Sequence, residues 1–541
     1  LGFLQRSDEA YDAYYKSTWN AAWRGPAFHR LAELDCARGH WSTALDHIDR
    51  SLNAGADNLN ARNLKTVILR QLGREREAQD FLIATCALDP LDIFSRFLAS
   101  GSPPADHQQR LDLIFDLLRA GLAEEALTVA SAPFSPSADG AIPMLLYARA
   151  HVLRRLGRAE ESAAALHDAA AADSAYVFPS RLEEMLLLEE ALRFNPGDGC
   201  AHYYLGNLLY DRRRHRDAIA AWERATQLDP DLPVVWRNLG IAYYNQLHDV
   251  PRAQAAFDRA RRLAPKDARI LYEQDQLARR AGVPVADRLA NLEAHRDLVE
   301  QRDDLSVEHA SLYSSTSQPK RALNVLLSRK FQPWEGGEGM VLAEYVRANI
   351  LLGQRALASR QPAEALRFFE AAQNPPESIG EAPHLLSNRS IIEHWLGTAW
   401  AQAGNPANAA AHWERAARTH GDFQSTQVKA ISEMTFWSAL ALQRLGRRGE
   451  ALTLLHQIRD YAMQLDERTP KIDYFAISLP AMLLFDEDLK LRQSITARFL
   501  QAQALLGLGE RERSLQLLQE VLRLDRSHTG AIDLMQAEFP Q

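Results

Sequence analysis

The chain has 541 residues, 46 % hydrophobic and 24 % charged, with a formal net charge of −8. A mean hydropathy of −0.31 and a pI near 6.1 fit a soluble globular chain too long for one compact core. They weigh against a free nucleic-acid binder, which is usually basic, and with no apolar run of about eighteen residues, no membrane span is expected.

Three isolated cysteines, Cys36, Cys86 and Cys200, argue against a disulfide framework and against a zinc cage. There is no Cys-x-x-Cys, His-Glu-x-x-His, phosphate loop, Gly-x-Ser-x-Gly elbow or calcium loop. No catalytic residue, metal or cofactor is therefore expected. The chain begins Leu1-Gly2-Phe3 without methionine and reads as part of a longer or processed polypeptide. The compartment stays open, with a lean to the cytoplasm.

Alanine and leucine dominate, which favours helix. Residues 1–25 read as one helix with most of its rings, Tyr11, Tyr14, Tyr15, Trp19 and Trp23, on one face, which caps the first repeat or else docks a preceding domain. Gly39 and Gly73 follow one repeat period apart, as do Ala44 and Ala78, completing a first segment over 1–100. Residues 100–104 form a turn. The second segment, 101–198, holds two weaker helix pairs marked by Gly121/Ala126 and Gly157/Ala163, a loop over 133–143, and a helix over 181–194.

The third segment, 199–267, carries the sharpest pattern. Gly206, Tyr210, Ala218, Trp222, Ala225 and Pro230 are followed by Trp236, Leu239, Gly240, Tyr243, Phe257, Ala260 and Pro265. Gly206 and Gly240 stand one period apart, the same interval that separates Gly39 from Gly73, and the turn at 247–251 is one longer than its predecessor. Small residues let two helices approach, the aromatic fills the space against the next pair, and proline ends the helix. This pattern resembles the tetratricopeptide repeat, whose period is about 34 residues. The resemblance implies an all-α solenoid of about ten antiparallel helix pairs wound as a right-handed superhelix, each pair needing a neighbour to bury its apolar face.

The pattern weakens over 268–345. Helices are expected at 268–281, 285–301, 307–312 and 320–328, and then Phe331-Gln-Pro-Trp-Glu-Gly-Gly-Glu-Gly339 interrupts, since its glycines disfavour helix. The last segment, 346–541, returns to repeats at Gly353/Phe369, Gly397/Trp413, Gly446/Ala451 and Gly509/Leu515, with a long connection over 466–488 and a cap over 528–537.

The stretch 331–339 and the stretch Lys471-Ile-Asp-Tyr-Phe-Ala-Ile-Ser-Leu-Pro480 through Asp488 resemble the C-terminal half of a bacterial domain-of-unknown-function family. In that family a β-rich, galactose-mutarotase-like domain precedes a tetratricopeptide array. The resemblance implies a helical accessory half of a carbohydrate-active protein, with carbohydrate reached through an upstream domain.

In such repeats the first helix of each pair lines the concave groove. Tyr203, Asn207 and Tyr210 are then expected to face inward from one repeat, and Arg237, Ile241, Tyr244 and Asn245 from the next. Tyrosine, asparagine and arginine suit a partner surface that is a protein, a peptide or an adjoining β-rich domain. Asn207 and Asn238 match two positions of the carboxylate clamp of chaperone-binding repeats. Tyr203 and Glu273 stand where that clamp needs cations, which argues against it. Trp334, Glu335 and Glu338 are a second candidate, able to stack on a sugar and act as an acid/base pair, or else to plug a gap between helix pairs. Arg212-Arg213-Arg214-His215-Arg216 reads as a solvated turn, and His394 as a weak groove candidate.

Overall fold

The structure is a computed structural model that describes residues 6–134, 140–334, 336–419, 421–424, 427–470 and 484–539. It is an all-α helical-repeat fold. A short antiparallel hairpin, Asp422–Gln424 against Gln427–Lys429, departs from that class among the described residues. The chain divides into two compact units, Leu1–Leu239 and Gly240–Gln541.

Several helices start on a side-chain cap. Asn58, Asp92, Asp106, Asp198 and His528 each accept a hydrogen bond from the backbone N–H two or three residues inside the helix, satisfying a donor the helix itself leaves unpaired. Within a pair, the turn between helices passes through one left-handed residue. It is Gly39, Gly73, Gly121, Gly157, Gly404, Gly446 or Gly509 in most pairs, and Arg213, His248, Ser317 or Arg360 in the others. Five residues on comes a fully buried small side chain: Ala44, Ala78, Ala126, Ala218, Ala253, Ala322, Ala365, Ala409 or Ala451.

Two pairs use serine at that position. Ser162 Oγ donates to Ala150 O at 2.8 Å and Ser514 Oγ to Ala502 O at 2.8 Å. The small residue of the Gly157 pair is therefore Ser162, and the expected Ala163 is exposed. The count of five from the left-handed residue decides between them.

A second class of glycine lies inside the first helix, under an aromatic ring of the second. Gly206 meets Trp222, Gly240 meets Phe257, Gly353 meets Phe369 and Gly397 meets Trp413. The expectation that Trp222 and Phe257 fill space against the next pair omits this contact within their own pair. Each ring takes the place that a Cβ would occupy on its own pair's glycine, so ring and glycine are one packing unit.

In the first unit, Ser7–Ser17 precedes the pairs Ala21–Ala37/Trp41–Ala54, Leu59–Gln71/Glu75–Leu88, His107–Arg119/Ala123–Ala130, Ile142–Arg155/Ala159–Ala171 and Gly199–Asp211/His215–Leu228. Single helices Ile93–Ser100 and Leu182–Phe194 lie between pairs. The expected continuous helix over 1–25 breaks at residues 18–20, where Asn20 caps a new helix that runs through Pro26. Tyr11 and Tyr15 pack around His47, whereas Trp19 is 83 % and Trp23 62 % exposed. Only part of the aromatic stripe therefore caps the first pair.

The second unit begins within the helix Pro233–Leu247. The expected helix over 285–301 is two, Val285–Glu293 and Arg296–Val299. Its last helices return to its early ones. Arg347 forms a two-pronged ion pair with Asp533, both bonds 2.8 Å. Buried Arg288 binds Asp275 and Glu308 and donates to Ser527 Oγ at 2.9 Å. Gln536 bonds Ser317 and the carbonyl of Ser315. These arginines satisfy several acceptors at once, which a buried guanidinium requires.

Candidate functional site

The expected groove residues separate into those absorbed by the fold and those that meet another stretch of chain. Tyr203 is buried, its ring 5.2 Å from that of Tyr204. Burial raises its hydroxyl's pKa. It is a core residue and not a surface one, which corrects its expected position. Asn207 Oδ1 accepts from Trp222 Nε1 at 3.2 Å and from Asn238 Nδ2 at 3.1 Å, and Arg237 donates to Asn238 Oδ1 at 3.2 Å. Asn207, Asn238 and Arg237 thus form a hydrogen-bonded ladder across successive first helices. Tyr210 is half-buried between His215 and Trp222. Ile241 is buried.

Tyr244 and Asn245 belong to the second unit, and there they meet the segment 484–486. Asn245 Nδ2 donates to Leu484 O at 3.0 Å, and Asn245 Oδ1 accepts from the Asp486 N–H at 2.9 Å. Between those two bonds the Phe485 ring lies edge-on to Tyr244 at 5.2 Å, tilted against Phe257 at 6.0 Å and under the Arg280 guanidinium at 5.3 Å. Phe485 is 1 % exposed. The stretch 484–488 has no regular secondary structure. Burial lowers the pKa of Arg280, while the charge of Glu487 is among the groups that counter it. Arg280 and Phe485 were missed from sequence. Phe485 falls in the second familiar stretch but reaches the site from a distant part of the chain, and no local signal marks Arg280.

The Trp334 loop serves its own geometry. The half-buried Trp334 ring packs over Gly337 and against the core that contains Phe331 and Tyr345. Glu338 accepts from the Gly336 N–H at 3.0 Å. Glu335 lies outside the described residues, as does 471–480 of the second familiar stretch. His394, expected to face a groove, is 3 % exposed and neutral, its pKa pushed down to about 3 by burial, with a small contribution from Arg444. Arg212, Arg213 and Arg214 are exposed at the turn, and Arg214 pairs with Asp217.

A further feature was not foreseen. Four helices of the first unit surround a cavity of about 210 Å³ lined by Pro26, His29, Arg30, Glu33, Phe94 and Arg119, among others. Burial alone would raise the Glu33 carboxyl, but His29 and Arg30 outweigh it and hold its pKa below the ordinary value. Arg119 pairs with Asp116 and, at 2.7 Å, with Glu183. The cavity's charges are matched internally.

Residues 206–246 match the TPR repeat model. This stretch is similar to the tetratricopeptide repeat. The tetratricopeptide match takes in Asn207, Tyr210, Arg237, Tyr244 and Asn245, and does not extend to the Trp334 loop or to 471–488. Among solved structures, a tetratricopeptide repeat protein from Parabacteroides merdae ATCC 43184 aligns at 17 % identity over 54 % of this chain and 98 % of its own, with a TM-score of 0.24. The Cut9–Hcn1 hetero-tetramer of the APC/C aligns at 12 % identity over 94 % and 95 %, with a TM-score of 0.26. YrrB, described as a TPR protein with an unusual peptide-binding site, aligns at 16 % identity over 42 % and 90 %, with a TM-score of 0.18. None is similar enough to lend its function to this chain. Among the described residues, no helix is long and apolar enough to cross a membrane.

Proposed function

We propose that the chain is a non-catalytic protein-interaction scaffold whose first-helix faces hold an extended peptide or a segment of an adjoining domain. The observation that carries this reading is the engagement of Asn245. Its side chain bonds both a carbonyl and an N–H of one irregular stretch of backbone. Such contacts recognise extended chain whatever its side chains, while flanking pockets select the residue between them. The aromatic and basic neighbours, Tyr244 and Arg280, supply such a pocket. Stacked helix pairs preorganise the surface, which lowers the ordering cost of binding. The reading assigns no covalent step to the chain.

The test is selection of displayed random peptides on the immobilised full chain. Binders whose capture falls about thirtyfold, the equivalent of one lost hot-spot contact of about 2 kcal/mol, on Arg237→Ala or Tyr244→Ala support the reading. A chain that enriches no peptide, or only peptides indifferent to both substitutions, overturns it.

A further inference from the structure

The segment Leu484-Phe485-Asp486 lies across Tyr244 and Asn245 as a bound peptide would. Three features separate it from an ordinary core contact. First, its polar anchoring to Asn245 is through its own main chain, at Leu484 O and the Asp486 N–H. Second, it contributes one deep anchor, the Phe485 ring, to a pocket of Tyr244, Phe257 and Arg280. Third, the residues after the anchor, Asp486, Glu487 and Asp488, are acidic and exposed, and the charge of Glu487 acts on Arg280. Main-chain bonds give affinity and the ring pocket gives selectivity; of the acids, Glu487 acts on Arg280 while also pairing with Arg492 at 2.8 Å, and Asp488 caps the helix Leu489–Gly507.

We propose that residues 484–486 are a resident pseudo-ligand, and that the external partner of this site is an extended peptide with an aromatic residue followed directly by acidic ones. This rests on the scaffold reading and adds its specificity and its control. A segment held in cis competes at high effective concentration. An external peptide binds only the fraction of molecules in which the site is vacant, so its apparent affinity is reduced by that fraction. Binding would then be strong only for a partner that offers more contacts than the resident segment, or once that segment has been drawn away.

The experiment uses the full chain and a fluorescein-labelled hexapeptide, Leu-Leu-Phe-Asp-Glu-Asp, followed by anisotropy. Phe485→Ala should bind it with an apparent Kd lower than the parent's by about tenfold or more. Adding Asn245→Ala to that variant should abolish the gain. Equal affinity for parent and Phe485→Ala overturns the proposal and makes Phe485 a structural plug. Should Phe485→Ala fail to fold, hydrogen exchange on the parent decides. Saturating peptide should speed exchange of the Asp486 amide about fivefold or more, as expected when a protecting contact opens, and unchanged exchange overturns the proposal. The scaffold reading stands apart from this result. Displayed peptides that bind through Arg237, without affecting Asp486 exchange, would sink the pseudo-ligand and leave the scaffold in place.

Discussion

Gly240 lies beneath the ring of Phe257: a Cβ on the glycine would stand 2.6 Å from Phe257 Cδ2 and 3.3 Å from the carbonyl oxygen of Ala253. Phe257 is fully buried and its ring also meets Phe485, so it has little room to retreat. Alanine is the better helix former by about 1 kcal/mol, yet Gly240→Ala should lower stability, because overpacking costs about 1–3 kcal/mol. Phe257→Leu should restore part of the loss in the double variant. Urea unfolding of the four proteins of the cycle measures it, and a stabilising Gly240→Ala would refute the packing account.

Arg360 occupies the left-handed turn position, with φ of 59°, that glycine holds in most other pairs. The left-handed region costs a side-chain-bearing residue about 1–2 kcal/mol, of which glycine's extra freedom in the unfolded chain returns part. Arg360→Gly should therefore raise the stability of the second unit by up to about 1 kcal/mol. Arg360→Val should lower it. A thermal melt separates the two signs.

Two buried histidines make the second unit acid-sensitive. Burial, then the charge of Arg444, pushes His394 down to about 3. Burial, aided by Arg296 and Arg321 against Glu293 and Glu300, pushes His309 down to about 4. Each ring stays neutral in the fold at a pH where the unfolded chain has taken up a proton. Their contribution is complete above about pH 6.5 and is lost on acidification, at up to about 1.4 kcal/mol per pH unit for each ring. The urea midpoint should fall between about pH 6.5 and pH 5, and His394→Leu should flatten that dependence. An equally steep profile in the variant would count against it.

Asn207 accepts from both Trp222 Nε1 and Asn238 Nδ2, so its role is interior. Trp222 Nε1 keeps the Tyr203 carbonyl at 3.2 Å, so Asn207→Ala takes the acceptor from Asn238 Nδ2 and should cost about 1 kcal/mol, the usual net loss for one hydrogen bond. Chemical denaturation should show that loss. A variant as stable as the parent would return Asn207 to the list of surface residues open to a partner.

The fold was legible where a short-range rule decides it. Gly206 and Trp222 belong to one helix pair, so a single repeat displays both ring and glycine. Ser162 escaped because Ala163 next to it is the commoner residue for the position, although Gly39/Ala44, Gly73/Ala78 and Gly121/Ala126 already carry the count of five that the left-handed Gly157 confirms. The break between Glu293 and Arg296 escaped because both sides carry helical periodicity with no proline or glycine between them. The candidate site was legible in half. Tyr244 and Asn245 follow from repeat position, whereas Arg280 and Phe485 reach them through contacts that no period encodes. Tyr203 shows the converse, since repeat position points it to a surface and the neighbouring Tyr204 and Asn207 enclose it.

The ion pair between Arg347 and Asp533, with Arg288 held to Ser527, has a bearing on how the second unit comes apart. An array joined only through nearest neighbours can melt from a loose terminus inward, one repeat at a time. Here the helix Thr529–Glu538 and the turn before it are tethered to helices far earlier in the chain, so losing both also exposes Arg347 and Arg288. Loosening of this helix is thereby coupled to disruption near the start of the same unit, and the array behaves less like a zipper than like a buckled belt.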